Sequence, residues 1–148
     1  MRAVLLSLAF AAGLATAACA LPTTTLSIDT ASGHPSFKVE MANDPASQER
    51  GLMYRKAMAA DAGMLFDFHK EQMVTFWMKN TILPLDLIFI RADGTISSIA
   101  GNAVPYSEAP IPSSEPIRAV LEINAGRAKA LGIEPGDRVK AAIFAARH

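Results

Sequence analysis

Residues 76–90 read FWMKNTILPLDLIFI. The segment is built for burial, yet Lys79, Asn80, Thr81 and Asp86 interrupt it beside Trp77, the only tryptophan in the chain. An aromatic wall with a few convergent polar groups is what a small-ligand site needs. An ammonium and a carboxylate close together, joined by Glu122, would also suit proton transfer in a hydrolase- or transferase-like enzyme. Beside these stands a structural account. Asn80 and Thr81 are turn residues whose side chains bond nearby backbone. Asp86 is then expected to accept amide hydrogens of the NTILP loop and close it, with Lys79 paired to it or in solvent.

Other candidate chemistry is sparser. Glu122 shares a strand face with Arg118 and Val120. Its two readings are an ion pair with Arg118 and a place in the Trp77 cluster. Arg50 and Arg55 flank GLMY, either as solvated charges or as anion contacts. His34, His69 and His148 are single and far apart, without metal-ligand spacing. His69 lies in a charged hairpin and is expected to face solvent. The glycines never cluster as phosphate or dinucleotide loops require. The seven methionines sit at core positions rather than in the clusters copper needs. No metal and no cofactor is expected.

Short strands must position these residues. TLSID (25–29) and SFKVEMA (36–42) alternate apolar and polar residues and read as half-buried strands, with His34-Pro35 in the turn between them. Asp44 before Pro45 is a helix start, because its carboxylate accepts from early amides and proline needs no donor there. Gly51 ends that helix. GMLFDF (63–68), QMVTFWMK (72–79) and LDLIFIRA (85–92) read as strands. In the second, Val74, Phe76 and Met78 point to the core, and Thr75, Trp77 and Lys79 point the other way. In the third, Asp86 shares a face with Ile88 and Ile90. Asp93-Gly94 turns the chain into TISSIAG. Residues 104–116 carry four prolines and no periodicity, a long loop with few residues suited to a core. IRAVLEIN (117–124) is another strand, AGRAKALG a short helix stopped by Gly132, and EPGDRVKAAIF a turn and a last strand. About eight short strands and two short helices, without regular alternation, imply an α+β fold. Its mainly antiparallel or mixed sheet is expected to curl into a barrel-like form that reduces exposed edges.

The 148 residues amount to one domain. The first twenty, MRAVLLSLAFAAGLATAACA, differ in kind from the rest. A charged start, a short apolar run and small residues before a cleavage point make a signal peptide over residues 1–20. The run is alanine-rich and marginal as a membrane anchor, the rival reading. LATAAC also loosely resembles a lipoprotein box that would lipidate Cys19. Cleavage after Ala20 would remove one of 14 basic residues and none of 14 acidic ones, leaving a formal charge of −1 and no cysteine. The remaining domain, 21–148, would be exported to the periplasm or beyond, without a membrane span. A near-neutral balance without basic runs argues against a nucleic-acid partner.

The residues carry a family resemblance. FWMKNTILPLDLIFI is preceded by RGLMYR (50–55) and GMLFDF and followed by LEINAG (121–126) and GIEPGD (132–137). In that order the blocks closely resemble the domain of unknown function 192 family, also known as uncharacterised protein family 0127. The resemblance covers roughly residues 25–145. It implies a compact, mainly β domain with small helices, often behind an N-terminal signal or anchor, and no established reaction. Among polar and aromatic positions, the family signature falls on Arg50, Phe66, Trp77, Lys79, Asn80, Thr81, Asp86, Glu122 and Asp137. The function expected is an exported ligand-binding or accessory module of the cell envelope. Its partner would be a small molecule or an envelope component, and the chain is expected to be a monomer. The alternatives are an enzyme working through Lys79, Asp86 and Glu122, and an interaction domain using the loop 104–116.

Overall fold

The computed structural model describes residues 20–145. Residues 1–19 of the expected signal peptide, with Cys19, and His148 lie outside them. Nine strands form: β1 (Thr23–Asp29), β2 (Ser36–Ala42), β3 (Ala62–Gln72), β4 (Thr75–Phe76), β5 (Leu85–Ile90), β6 (Ile96–Ala103), β7 (Ile111–Pro112), β8 (Ile117–Asn124) and β9 (Arg138–Lys140). Two short helices, α1 (Pro45–Arg50) and α2 (Arg127–Ala130), interrupt them. Seven strands make one sheet in the order β6-β5-β8-β3-β2-β1-β9, and β4 pairs with β7 alone. The large sheet is mixed. β2 and β3 run parallel, with α1 in the crossover between them, and every other pairing is antiparallel. The fold is thus α+β, with a curled half-barrel sheet as its main part. Among the described residues no helix is long and apolar enough to cross a membrane.

The curl brings the two ends of the sheet together. The amide of Ile96 donates to Asp137 O (2.8 Å), that of Gly136 to Ile96 O (2.9 Å), and that of Val139 to Gly94 O (2.8 Å). Gly94 is required there. Its φ is +86°, and a Cβ would lie 2.6 Å from the carbonyl oxygen of Val139.

Both sheet faces are buried, so β5 is buried at all six positions. Inside the curl lie Leu26, Phe37, Val39, Leu65, Ile88, Ile90, Leu121, Ile123 and Val139. On the outer face Leu52, Met64, Phe66, Met78, Leu85, Leu87, Phe89 and Val120 form a second core. Residues 74–83 and Ile111 help to cover that core, and through this cover the sheet positions the candidate site.

Three local expectations are corrected. QMVTFWMK is not an eight-residue strand: Gln72 ends β3 opposite Ile117, and beyond it only Thr75 and Phe76 pair. Beyond them the amide of Met78 donates to Ser107 O, and that of Thr81 to Met78 O, which turns the chain. The segment 104–116 is not free of the core. Ile111 packs on the outer-face core, and Ser113 is tied to Val74 in both directions, Val74 N to Ser113 Oγ at 3.1 Å and Ser113 N to Val74 O at 2.8 Å. Finally, the last strand stops at Lys140, and Ala142–Phe144 form a 3-10 turn.

Candidate functional site

A pocket of about 320 Å³ opens where α1, β3 and residues 74–81 meet above the outer face of the sheet. α1 begins as its sequence predicts. Asp44 accepts the amides of Ala46 and Ser47, both at 3.0 Å, and Ser47 closes the reciprocal cap. Gly51 ends the helix at φ +47°, and a Cβ there would come within 3.3 Å of the Phe66 ring. This close approach lays Leu52 onto the sheet, where it is buried. Phe76 meets Phe66 edge to face at 5.0 Å, and Phe68 and Phe89 each at 6.3 Å. Edge-to-face packing of this kind is the favoured arrangement of aromatic quadrupoles. Leu52, Phe66, Phe68, Val74 and Phe76 thus give the pocket apolar walls. Trp77, 48% exposed, lines the same pocket.

Glu122 lies deepest. Strand β8 sits between β3 and β5, so Glu122 is flanked on its own face by Met64 and Leu87. It is only 4% exposed, yet it lines the pocket. Burial alone acts on it, with no hydrogen bond or opposite charge to offset the loss of water, and pushes its carboxyl up to about 8. The expected ion pair with Arg118 does not form. Arg118 makes a two-pronged pair with Asp67 instead, Nε to Oδ1 at 2.7 Å and Nη2 to Oδ2 at 3.1 Å. Burial works to raise the Asp67 carboxyl, but Arg118 and the His69 amide outweigh it and hold it below the usual range. His69 is exposed, with Nε2 at 2.8 Å from Asn43 O.

The expected site residues are therefore divided. Arg50, Trp77, Thr81 and Glu122 line one pocket. Lys79 lies outside the wall, its ammonium 5.0 Å from the Trp77 ring centroid and 3.5 Å from Glu108. Asn80 holds a left-handed turn at φ +54°. Asp86 belongs to neither group. It faces the inside of the curl, 1% exposed, and accepts the amides of Asn102 and Ala128, both at 2.9 Å. The donors expected from the NTILP loop are not its partners. Lys79, Asp86 and Glu122 do not converge, so the three-residue proton-transfer arrangement is absent. The residues missing from the sequence reading of the site are Leu52, Phe66, Phe68 and Phe76. The alternation of Met64, Phe66 and Phe68 marked them as one face of a strand, but nothing local distinguished a pocket wall from core. Among the described residues no group of three or more His, Cys, Asp or Glu could hold a metal ion.

Comparison with known proteins places this architecture. A crystal structure from Sinorhizobium meliloti 1021, described as a "putative transcription regulator", is 53% identical. It superposes with a TM-score of 0.82 over 84% of this chain and 97% of the other. A protein of unknown function from Novosphingobium aromaticivorans DSM 12444 is 45% identical, with a TM-score of 0.80 over 82% and 86% of the two chains. No curated protein matches. The family model described as "Uncharacterized ACR" matches residues 27–141, spanning every described strand but the first residues of β1. The chain belongs to the domain of unknown function 192 family.

Proposed function

We propose that this protein is an exported small-ligand-binding module of the cell envelope, with its site in the pocket between Trp77 and Glu122. One observation carries the site: a buried carboxyl without a partner among the described residues opens onto an aromatic-walled cavity. Among the described residues the one fully enclosed side-chain atom without a partner is Arg127 Nε, so the Glu122 carboxyl is reached from the cavity and is placed to meet what enters it. A ligand supplies the partner of Glu122. The export half rests on the signal-like sequence of residues 1–20.

Trp77 gives the test its own reporter, because it is the only tryptophan and lines the pocket. A fragment library should contain compounds that change its fluorescence saturably, and a pocket-blocking Val74→Trp variant should lose them, read by ligand-observed NMR. Hits that bind equally to that variant would move the site elsewhere. Mass spectrometry of protein from the native host should show a chain beginning near Leu21. An intact Met1, or a lipid on Cys19, would overturn the soluble exported form.

A second reading has one observation in its favour. Tyr106 and Val104 are exposed by 62% and 67%, as an interaction surface on the loop 104–116 requires. Ile111, by contrast, is turned inward onto the outer-face core. Tyr106→Ser that abolished a measured envelope interaction, with fragment binding intact, would favour this second reading.

A further inference from the structure

We infer that the ligand of this pocket is a compact organic ammonium ion, its nitrogen against the Glu122 carboxylate and its body among Phe66, Phe76 and Trp77. The inference rests on the pocket reading above and adds the charge and class of the ligand.

An inventory of hydrogen-bonding groups carries the argument. Gln48 lines the pocket, but its amide nitrogen already donates to Ala42 O (3.2 Å) and Asp67 O (2.8 Å). A side-chain amide has two such hydrogens, so none is left over. The Thr81 hydroxyl donates to Lys79 O at 3.1 Å. Arg50, Glu49 and Thr75 are exposed positions at the mouth. The one deep polar group left unengaged is therefore a carboxyl. An anionic ligand would find only the protonated Glu122 hydroxyl at depth, with the Trp77 indole N–H and the Arg50 guanidinium nearer the mouth, and it would oppose ionisation of Glu122. A cation meets an acceptor and the negative faces of several rings. The Trp77 ring already attracts one ammonium on the surface, that of Lys79.

Electrostatics favours the same class. The loss of water that keeps the Glu122 carboxyl protonated in the empty pocket is offset by an ammonium at contact distance, because a charge pair is strongly coupled where water is excluded. Binding then drives the proton off Glu122. Arg118, on the strand face of Glu122, is held by Asp67, and His69 lies 3.5 Å from the Asp67 carboxylate. On the outer face, β5 presents Leu85, Leu87 and Phe89, and β3 presents Met64, Phe66 and Phe68. On β2, Glu40 is paired with Arg55 at 2.7 Å, and outside Trp77 Lys79 is paired with Glu108. α1 adds Glu49 and Arg50, of opposite sign, at the mouth.

The test uses the chain from Leu21 onward and three isosteric probes: benzylamine, benzyl alcohol and benzoate. Binding is read from Trp77 fluorescence and from amide shifts around the pocket. Benzylamine should bind tighter than either rival by about tenfold or more, the worth of one charge-assisted hydrogen bond. Its affinity should rise between about pH 6 and pH 8, because binding releases a proton from Glu122. Glu122→Gln should remove both the preference and the pH slope. If that variant does not fold, the slope in the unmodified chain decides alone. Benzyl alcohol binding as tightly, with affinity falling over the same pH range, would overturn the ammonium inference and leave the pocket standing. If no probe perturbs Trp77 or the pocket amides, the inference and the pocket reading fall together.

Discussion

The carboxylate of Asp86 holds the backbone amide of Ala128 at 2.9 Å and so anchors the first turn of the four-residue helix α2 to β5, next to the edge strand β6. Its other oxygen holds the amide of Asn102 on β6. One side chain thereby joins two segments that no strand pairing connects at this point. Asp86→Ala leaves both donors without that partner and should cost about 2–3 kcal/mol, measured by chemical denaturation. Lys79→Met, by contrast, removes a half-exposed surface charge and should change stability by no more than about 0.5 kcal/mol. The double mutant should be additive, because the two residues share no partner. Strong coupling between them would contradict the separation seen here.

Glu122 makes stability depend on pH with a definite sign. Its carboxyl ordinarily titrates at 4.5, and burial raises it in the fold to about 8. Between those values the folded chain keeps a proton that the unfolded chain has lost. The stabilisation is therefore complete below about 4.5 and is lost as pH rises through about 8. Within the window the slope should approach about 1.4 kcal/mol per pH unit. Denaturation midpoints of the empty protein at several pH values should show this decline. Glu122→Gln should flatten it, and a variant that declines as steeply would locate the titrating group elsewhere.

Ser113 tests whether the proline-rich segment is packed structure. Its buried hydroxyl accepts from Val74 N, so Ser113→Ala leaves that amide unpaired beside the pocket wall. A loss of about 1–2 kcal/mol is expected by urea denaturation. Glu108→Ala, on the exposed part of the same segment, should stay within about 0.5 kcal/mol. Equal effects would show that the segment responds as a loose loop.

Asn80 separates backbone need from side-chain chemistry. At φ +54° it sits in the left-handed region, and its carbonyl receives the amide of Tyr54 at 2.9 Å. Asn80→Gly should therefore preserve both stability and fragment binding. Asn80→Val should cost about 1–2 kcal/mol, because a branched Cβ is strained in that conformation. Loss of binding in the glycine variant, with stability intact, would return Asn80 to the site.

Much of the fold was legible because its signals are local. Period-two alternation marked β1 and β2, Asp44-Pro45 marked the start of α1, and Asp93-Gly94 marked the turn into β6. The site was only half legible, because it depends on which strands are neighbours. Glu122 reads equally as an ion-pair partner of Arg118 or as part of the Trp77 cluster until β8 is set between β3 and β5, where Met64 and Leu87 enclose it. Asp86 has the same history in reverse. Its nearness to Lys79 in sequence suggested a pair, but the two point to different sides of the sheet. Trp77 and Lys79 followed an alternating pattern that the chain abandons after Phe76, because Met78 and Thr81 bond outside any ladder.

The neighbourhood of β1 and β9 sets an order on biosynthesis. On the edge of β1 away from β2, Ser27, Ile28 and Asp29 pair with Lys140, Val139 and Arg138, more than a hundred residues later. A growing chain emerges from the ribosome from its N-terminus onward, so the sheet cannot be completed until β9 has emerged. Until then β1 has one bare edge and the interior of the curl lies open. Such long-range closure is slow, since the entropy of joining distant segments is lost before their contacts form. A nascent chain of this protein thus stays open until Lys140 has been made, the condition in which a chaperone can hold it.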